Sequence, residues 1–379
     1  MKGVRNLEPI RILQVNNAMV SAGIEAFIMN VYRHIDREQV QFDFLVHYPI
    51  PQHYDEEIKK MGGHIHYLTI RKDNNFIKYF RDLDRFFKEN KQYHVIHGHM
   101  DFYGMFYLFF AWKNGVKVRM IHSHNASITP SLKGFVHYML DIPLKYMTKY
   151  RYACSEKAGK FLYKNKPFEV LNNAIEVDKF AFDEHKRTII RQQYGIQDET
   201  VYLLIGRFEK QKNHTFLLKV FKKITHIDSN VKLWLIGKGP LEEEIKKEIQ
   251  TLGLEEYVQL LGTQTDIPGY LSAADAFLMP SLYEGLPVSG VEAQANGLPC
   301  FFSDEITREL DISEGAHFLS LNLTPEEWAK YITSKKVKHL KNQKQSIVEH
   351  GFDIVEQAKK IQELYISLDK KARGELYDD

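Results

Sequence analysis

Two carboxylates follow a short apolar run in the stretch SLYEGLPVSGVEAQANGLP, which spans Ser281–Pro299. Glu284 and Glu292 are separated by seven residues. The run AFLMPS predicts a buried strand, LYEGLPVS a turn, and VSGVEAQANG a short helix closed by Gly297. Pro287 suits the start of this helix, because proline lacks the N–H that the first turn cannot use. The sequence therefore places the first glutamate on a loop and the second on a helix.

The start of this predicted helix could bind an anion. Backbone N–H groups between Gly285 and Val288 would point out of the helix N-terminus, and with the helix dipole they favour negative charge. Carboxylates are poor ligands for phosphate but good acceptors for sugar hydroxyls. Two hydroxylated rings flanking a diphosphate would account for two glutamates flanking an anion site, and such a ligand is a nucleotide sugar. Glu284 would then face the donor sugar and Glu292 the ribose.

The segment IGRFEKQKNH (Ile205–His214) could supply positive charge to the same ligand. Arg207 and Lys212 follow the end of a predicted strand, and we expect Asn213 to cap the next helix. Two cations beside a helix start suit a multiply charged anion. Taken alone, this segment could equally be a solvated charged loop. The glutamate stretch favours the anion site.

Strands and helices alternate along the chain in two series. The first runs from a strand at Ile10–Val15 to one at Phe168–Ile175, and the second opens at Val201–Arg207 after a charged linker and a surface helix. This alternation predicts an α/β fold with two doubly wound domains, residues 1–180 and 181–379. Ligands bind beyond the carboxyl ends of the strands in such sheets, here in a cleft between the domains.

Composition and charge exclude several classes of protein. The net charge of +2 excludes a strong overall field, so anion binding must come from local clusters, and we expect no nucleic-acid partner. Cys154 and Cys300 lack metal-ligand spacing, so a reducing cytosol fits better than a disulfide framework or a zinc site. We recognise no signal peptide. The longest apolar run, Phe102–Trp112, is about half of the ~20 residues that spanning a bilayer requires.

These motifs together resemble the retaining GT-B glycosyltransferases with an E-x7-E signature (family 4 type), similar to those of bacterial capsule and exopolysaccharide synthesis. Glu284 and Glu292 match that signature, and Arg207 and Lys212 match the family's Gly-Arg…Lys element. The segments ACSE, LNNAIEVDKF and TDIPGYLSAADAFLMPS also have counterparts. The resemblance covers most of the chain and is weakest near residues 50–95 and after 305.

The resemblance implies a GT-B fold, in which two Rossmann-like domains face a central cleft. The N-terminal domain would bind the acceptor and the C-terminal domain the nucleotide sugar. The last helix, about residues 351–367, would pack back on the N-terminal domain. The polar tail DKKARGELYDD after the predicted helix is expected to fray.

The resemblance also implies roles for individual residues. Arg207 and Lys212 would neutralise the donor diphosphate and the leaving nucleotide. Glu284 would hold hydroxyls of the donor sugar, and Glu292 would bind the ribose. The residues expected to bind the donor through the backbone or beside the base are Thr263, Gln264, Gly285, Leu286, Pro287 and Val288. No metal is implied, because cationic side chains and the helix start replace it.

The stretch SAGIEAF (Ser21–Phe27) lies where the family often has two glycines. Here Ala22 replaces the first, and Gly23 remains for close approach of the backbone to the diphosphate or the acceptor. Glu25 could be functional or simply an acidic residue favoured in the first helical turn.

Two histidine pairs end predicted strands, HGH (His97–His99) and HSHN (His122–Asn125). Four histidines suggest a metal site at first sight, but no acidic or cysteine partner stands at suitable spacing. The resemblance implies instead that His124 lies beside the donor sugar, hydrogen-bonded to a hydroxyl or phosphate. His97 and His122 would support the loops.

The implied reaction transfers a sugar from a nucleotide donor, with UDP-sugars favoured over GDP-sugars, to an acceptor hydroxyl with retention at the anomeric carbon. No enzymic nucleophile is evident, and a front-face mechanism would need none. Two alternatives remain open at this point. One is a nucleotide-sugar epimerase, which would need no acceptor, and the other is a non-catalytic sugar-binding subunit.

The stretch GFVHYMLDIPLKYMTKYRY (Gly134–Tyr152) mixes aromatic with basic residues. It could lie against an anionic membrane and reach a lipid-linked saccharide acceptor. It could equally be a buried helix with a solvated basic edge. We therefore expect a cytoplasmic protein with a possible peripheral contact at the inner face of the membrane.

Overall fold

The computed structural model describes residues 8–20, 23–48, 50–68, 75–124, 139, 143–335 and 337–376, without the side chains of residues 101–103. Its strands form two parallel sheets, one in each of two compact units. Within the described residues, every helix is too short or too polar to cross a membrane.

The first unit contains a seven-stranded sheet with the order β3-β2-β1-β4-β5-β6-β7. Its strands are β1 (Ile10–Asn16), β2 (Val40–Val46), β3 (Ile65–Tyr67), β4 (Val95–Gly98), β5 (Val118–Ser123), β6 (Tyr150–Ala153) and β7 (Glu169–Val170). The helices described in this part of the chain are α1 (Gly23–His34), α2 (Asp55–Lys60), α3 (Phe76–Glu89), α4 (Asp101–Lys113), α5 (Leu144–Met147) and α6 (Glu156–Tyr163). Strand order reverses between β1 and β4, where the loops leave a crevice in this class of sheet.

The second unit has a six-stranded sheet with the order β10-β9-β8-β11-β12-β13. Its strands are β8 (Thr200–Ile205), β9 (Val231–Ile236), β10 (Val258–Gly262), β11 (Ala276–Met279), β12 (Cys300–Ser303) and β13 (Ala316–Leu319). Its helices are α7 (Val177–Phe180), α8 (Glu184–Gln193), α9 (His214–Ile227), α10 (Glu242–Thr251), α11 (Ile267–Ala273), α12 (Val288–Ala295), α13 (Pro325–Ser334) and α14 (Lys344–Glu349). Here the strand order reverses between β8 and β11, which pair in parallel.

The central strands are buried on both faces, as their apolar sequences require. All seven positions of β2 are buried, and so are all four positions of β11 and all four of β12. Parallel sheets covered by helices on both faces favour such continuous apolar runs over alternation. The predicted α/β class with two Rossmann-like domains is therefore confirmed.

The last helix, α15 (Ile354–Arg373), belongs to the first unit. It packs against α1 and against strands β1, β2, β4 and β5. Its buried side chains recur every three or four residues, which is the spacing of one helical face; they include Ile354, Ala358, Ile361, Tyr365, Leu368 and Ala372.

Two boundaries differ from the sequence predictions. The first unit ends at Ala174 and resumes at Ile354, so the division falls before residue 180, because α7 buries Val177 and Phe180 in the core of the second unit. The first part of the tail does not fray, since α15 continues to Arg373. Asp369 is buried there and accepts from His94 at 2.9 Å and from Arg373 at 2.8 Å.

Candidate functional site

The loops that follow β8 and β11 are joined by hydrogen bonds. Leu282 N–H donates to the Gln211 carbonyl oxygen at 2.8 Å, and the Gln211 side-chain amide donates to the Tyr283 carbonyl oxygen at 3.0 Å. Asn213 Nδ2 donates to the Pro280 carbonyl oxygen at 3.1 Å. These bonds fix the Glu284 loop against the loop that carries both predicted cations.

Asn213 therefore has a different role from the one that its sequence predicts. It precedes α9, but its side chain makes no capping hydrogen bond. Its backbone is left-handed, with φ of 57° and ψ of 43°, a conformation that asparagine tolerates better than most residues. The side chain turns to the Pro280 carbonyl and joins the two loops.

Glu284 is buried, with 9% of its surface exposed, and is held at both carboxylate oxygens. Lys212 Nζ lies 2.7 Å from Oε1, and Gln211 Nε2 donates to Oε2 at 3.1 Å. The stem of Lys212 packs on Gly206, where a Cβ atom would lie 2.9 Å from Lys212 Cε. Gln211 was not predicted from the sequence, although its position directly before Lys212 could have indicated it.

Arg207 lies in a different environment. Its side chain is 74% exposed and pairs with Glu209 at 2.8 Å, whereas the side chain of Lys212 is only 15% exposed. The structure thus brings Lys212, but not Arg207, into contact with Glu284. Of the two predicted phosphate ligands, Lys212 is mostly buried and pairs with a buried carboxylate, whereas Arg207 is exposed.

Glu292 lies half-buried on α12, and no described residue donates a hydrogen bond to its carboxylate. Burial raises the pKa of this carboxyl to about 7, and the charge of Lys179 opposes this shift. A half-buried carboxyl without a protein partner can bond to a hydroxyl of a ligand.

Helix α12, which carries Glu292, begins at Val288, with Pro287 in the preceding capping position. N–H groups in the first turn of a helix have no intrahelical partner, although Gly290 N–H here bonds to the Pro287 carbonyl oxygen at 3.0 Å. Leu286 and Pro287 are buried. A Cβ atom on Gly285 would meet nothing within 4 Å, so open space lies before the helix.

The two residues predicted to flank the base follow β10, at the edge of the same sheet. Thr263 is exposed, whereas Gln264 is half-buried. The Gln264 side-chain amide already donates to the Leu261 carbonyl oxygen at 2.5 Å. Contact with the base through the backbone of Thr263 and Gln264 stays a prediction.

In the first unit, Gly23 begins α1, and a Cβ atom there would meet no atom of the described residues within 4 Å. Ala22 lies outside the described residues. Glu25 is buried, and its Oε1 accepts from Asn16 Nδ2 at 2.9 Å. Burial raises the pKa of this carboxyl. These contacts favour a structural role for Glu25, which ties the start of α1 to the end of β1.

The four histidines lie together at the ends of β4 and β5. His99 Nδ1 is 3.0 Å from His124 Nε2, and the His122 and His124 rings stack with centroids 4.3 Å apart. Burial lowers the pKa of His97 and His124 to about 3 and those of His99 and His122 well below the usual value. All four rings are therefore neutral at physiological pH.

The same cluster contains a group of possible metal ligands. Within the described chain, ring nitrogens of His97, His99 and His122 lie within 4.8 Å of one another. Two imidazoles bound to one zinc ion at about 2.0–2.1 Å must have their nitrogens within about 4.2 Å. Both ring nitrogens of His99 already have partners, so a metal ion would have to displace one of them.

Comparison with known proteins identifies the family. Residues 186–361 match the family described as glycosyl transferases group 1. EpsF of Bacillus subtilis, which is named for a glycosyltransferase activity that its name does not state as established, is 36% identical over 332 residues, which cover 85% of this chain and 86% of that protein. The chain belongs to the group 1 glycosyl transferases.

Other relatives are less similar to the chain than EpsF is. CapH of Staphylococcus aureus, named as a capsular polysaccharide biosynthesis glycosyltransferase, is 24% identical, with 94% of this chain and 99% of CapH aligned. An Escherichia coli UDP-Gal:alpha-D-GlcNAc-diphosphoundecaprenol alpha-1,3-galactosyltransferase is 31% identical over 52% of this chain and 54% of that enzyme. The homologues of this glycosyltransferase thus include enzymes of polysaccharide biosynthesis.

The fold of this glycosyltransferase matches solved GT-B structures. Anabaena HepE, in complex with UDP and glucose, has a TM-score of 0.75 at 16% identity and aligns with 94% of this chain and 100% of HepE. At this identity the match supports the fold alone, and it agrees with the two Rossmann-like units described above.

The ion pair at Glu284 should contribute to stability. Lys212→Met leaves a buried carboxylate without its cation, so we expect the free energy of unfolding to fall by about 3 kcal/mol, at the low end for a buried pair because the Lys212 side chain is 15% exposed. Arg207→Met, which loses only an exposed pair, should change it by about 0.5 kcal/mol or less. Urea denaturation of Lys212→Met, Glu284→Gln and their double variant measures the coupling between the two residues. Equal losses in Lys212→Met and Arg207→Met would contradict the assigned burial.

Glu292 should make stability depend on pH. Its pKa is raised from 4.5 to about 7, so the native state binds the proton more tightly than the unfolded state. The stabilisation that the protonated Glu292 carboxyl provides is complete below the unfolded-state pKa of 4.5 and is lost as pH rises through about 7. Relative to the parent, Glu292→Gln should gain about 2 kcal/mol in unfolding free energy between pH ~5 and pH ~8. The exposed Glu255→Gln is the control, and parallel pH profiles for Glu292→Gln and the parent would refute the shift.

Proposed function

We propose that this glycosyltransferase transfers a sugar from a nucleotide diphosphate sugar, a UDP-sugar, to an acceptor hydroxyl with retention at the anomeric carbon. The product would enter a surface polysaccharide such as a capsule or exopolysaccharide. The buried Glu284 carboxylate, held by Lys212 and Gln211 beside open space at a helix start, carries this proposal. The names of CapH and of the E. coli galactosyltransferase, and the UDP and glucose in the HepE complex, support it.

Glu284 suits the donor sugar because its geometry is fixed before a ligand arrives. The ammonium of Lys212 forms an ion pair with Glu284, with Nζ 2.7 Å from Oε1, and it has three N–H donors, some of which can turn to a phosphate oxygen. Its positive charge can therefore interact with the Glu284 carboxylate, which would face the sugar, and with the donor diphosphate at the same time. The open first turn at Val288 adds backbone donors for the same phosphates.

Arg207 and Glu292 complete the proposed donor site. The exposed guanidinium of Arg207 has five N–H donors and can turn to the diphosphate at little cost in burial. The unpartnered carboxyl of Glu292 suits the ribose hydroxyls. Backbone groups at Thr263 and Gln264 would contact the base.

The first unit would contribute Gly23 and His124. Gly23 offers an open backbone position at the start of α1 for the diphosphate or the acceptor. A neutral His124 can share a hydrogen bond with a sugar hydroxyl but carries no charge to offer a phosphate. We give it a positioning and hydrogen-bonding role.

The proposed chemistry is a front-face displacement. The bond between the anomeric carbon and the donor phosphate oxygen breaks, and the acceptor oxygen forms its bond on the same face. The acceptor proton passes to the departing phosphate oxygen, so no protein nucleophile is required. Arg207, Lys212 and the helix start stabilise the charge that develops on the nucleotide diphosphate. No metal ion is required in this scheme. A sugar trapped covalently on the protein would contradict it.

We also propose a peripheral membrane contact through the basic aromatic stretch. Residues 134–138 and 140–142 of this stretch lie outside the described residues. In the described remainder, Tyr146 is exposed, and Lys145 lies over its ring at 5.3 Å. Lys166, from outside the stretch, lies over the same ring at 5.1 Å. Aromatic rings with adjacent cations suit an anionic membrane surface. The diphosphoundecaprenol acceptor in the name of the E. coli relative supports a lipid-linked acceptor.

The donor site is tested by thermal shift and by turnover. We expect UDP to raise the melting temperature more than GDP, and Arg207→Met to weaken UDP binding about tenfold. Glu284→Gln should weaken binding of the matching UDP-sugar more than that of UDP. The control is Lys246→Met, which also breaks an exposed ion pair in the second unit. Unchanged binding and turnover in both site variants would refute the site, and donor conversion without acceptor would indicate an epimerase.

The membrane contact is tested by sedimentation with vesicles. Removing both cations in Lys145→Gln/Lys166→Gln should weaken binding to phosphatidylglycerol vesicles about tenfold or more, since each lysine near the surface contributes about 1 kcal/mol. Lys232→Gln removes a cation that lies over Tyr257 in the second unit and serves as the matched control. Binding that is insensitive to salt and to the double substitution would contradict an electrostatic contact at this surface.

A further inference from the structure

We propose that a chain of hydrogen bonds from Tyr365 through Gln14 and His99 holds His124 in one tautomer, with its proton on Nε2. Tyr365 and Gln14 would thus be positioning residues for a histidine that they do not touch. The consequence for activity rests on the proposed role of His124. The tautomer itself is a property of the free protein.

The chain is continuous and buried within the first unit. Tyr365 Oη lies 2.7 Å from His97 Nδ1 and accepts from Gln14 Nε2 at 3.1 Å. Gln14 Oε1 lies 2.9 Å from His99 Nε2, and His99 Nδ1 lies 3.0 Å from His124 Nε2. Gln14, His97, His99 and Tyr365 are each at most 3% exposed, so water cannot readily replace these partners.

The chemistry of the groups gives the chain a direction. An amide oxygen only accepts, so His99 must carry its proton on Nε2, which faces Gln14 Oε1. The ring is neutral, so its Nδ1 has no proton and accepts from His124 Nε2–H. His124 is also neutral, which leaves its Nδ1 without a proton.

Tyr365 is the group that restrains the amide. Gln14 Nε2 donates to its hydroxyl, and that hydroxyl donates to His97 Nδ1. Reversing the amide would require every donor and acceptor in the chain to reverse with it. Loss of the Tyr365 hydroxyl leaves the buried Gln14 N–H group without an acceptor, which favours the reversed amide, so that the reversed tautomers of His99 and His124 become populated.

This tautomer limits the ligand groups to which His124 can bond. No described residue bonds to its Nδ1, and a nitrogen without a proton can accept from a hydroxyl but cannot donate to a phosphate. The chain therefore selects a sugar or acceptor hydroxyl, rather than a phosphate oxygen, as the partner of His124 Nδ1. Tyr365 comes from α15, so the last helix of the chain would tune the first unit's contribution to the reaction.

The tautomers can be read directly by NMR of the whole protein labelled with ¹⁵N-histidine. In the parent, the ring nitrogens of His99 and His124 should show protons on Nε2 alone. In Tyr365→Phe and Gln14→Met, both residues should show mixed tautomers. Tyr365→Phe removes a single oxygen atom, which keeps the test available if Gln14→Met does not fold.

The matched control is Tyr32→Phe. Tyr32 is fully buried in the same core, and its hydroxyl donates to the side-chain oxygen of Gln41 at 2.5 Å, away from the histidines. It should leave both tautomers unchanged. A proton on His124 Nδ1 in the parent, or an unchanged His124 in both chain variants, would overturn the proposal.

Kinetics separates this inference from the proposed function. Tyr365→Phe should lower kcat about tenfold with little change in the KM for the donor, while Tyr32→Phe leaves both near the parent values. If His124→Ala leaves turnover unchanged, the role proposed for His124 is wrong, and the NMR result still decides whether the chain sets its tautomer. Mixed tautomers in Tyr365→Phe without any loss of kcat would refute the catalytic consequence alone.

Discussion

The pairing of Lys212 with Glu284 is the interaction on which the candidate site depends. A buried carboxylate is costly unless a cation and hydrogen-bond donors surround it. Lys212 and Gln211 meet that requirement only because the loops after β8 and β11 leave adjacent strands and are joined at Asn213. The strand order thus brings a carboxylate and a cation together beside an open helix start, where charge and hydroxyl groups of one ligand can both be bound.

Burial has the opposite effect in the first unit. There the charged form of histidine is disfavoured, so four imidazoles lie neutral at one sheet edge. In neutral rings, the position of the proton, rather than a charge, decides which nitrogen of each ring donates a hydrogen bond to its neighbour and which accepts one. One unit therefore offers fixed charges and the other a directed set of hydrogen bonds, and both sets lie at the carboxyl ends of parallel strands near a reversal of strand order.

Much of the fold could be predicted because its strands are continuous apolar runs between recognisable turns. Strand β13 is only weakly marked in the sequence, since AHFL is short and only its last residue is buried. Helix α13 is better marked, because a capping box at Thr324 and Glu327 is readable in the sequence. The predicted domain boundary at residue 180 and the predicted end of the last helix near residue 367 both differ from the structure. Both positions depend on which hydrophobic core buries a few side chains, and the local sequence does not determine that.

The sequence by itself determined the classes of group at the site: two glutamates at fixed spacing, two cations after a strand, and a helix start between the glutamates. These follow from local rules of turns, caps and charge. Only the tertiary structure decided that Lys212 rather than Arg207 holds Glu284, that Asn213 joins loops instead of capping, and that Tyr365 reaches the histidines. Such pairings join residues far apart in the chain, and they are set by strand order and by the packing of side chains in three dimensions.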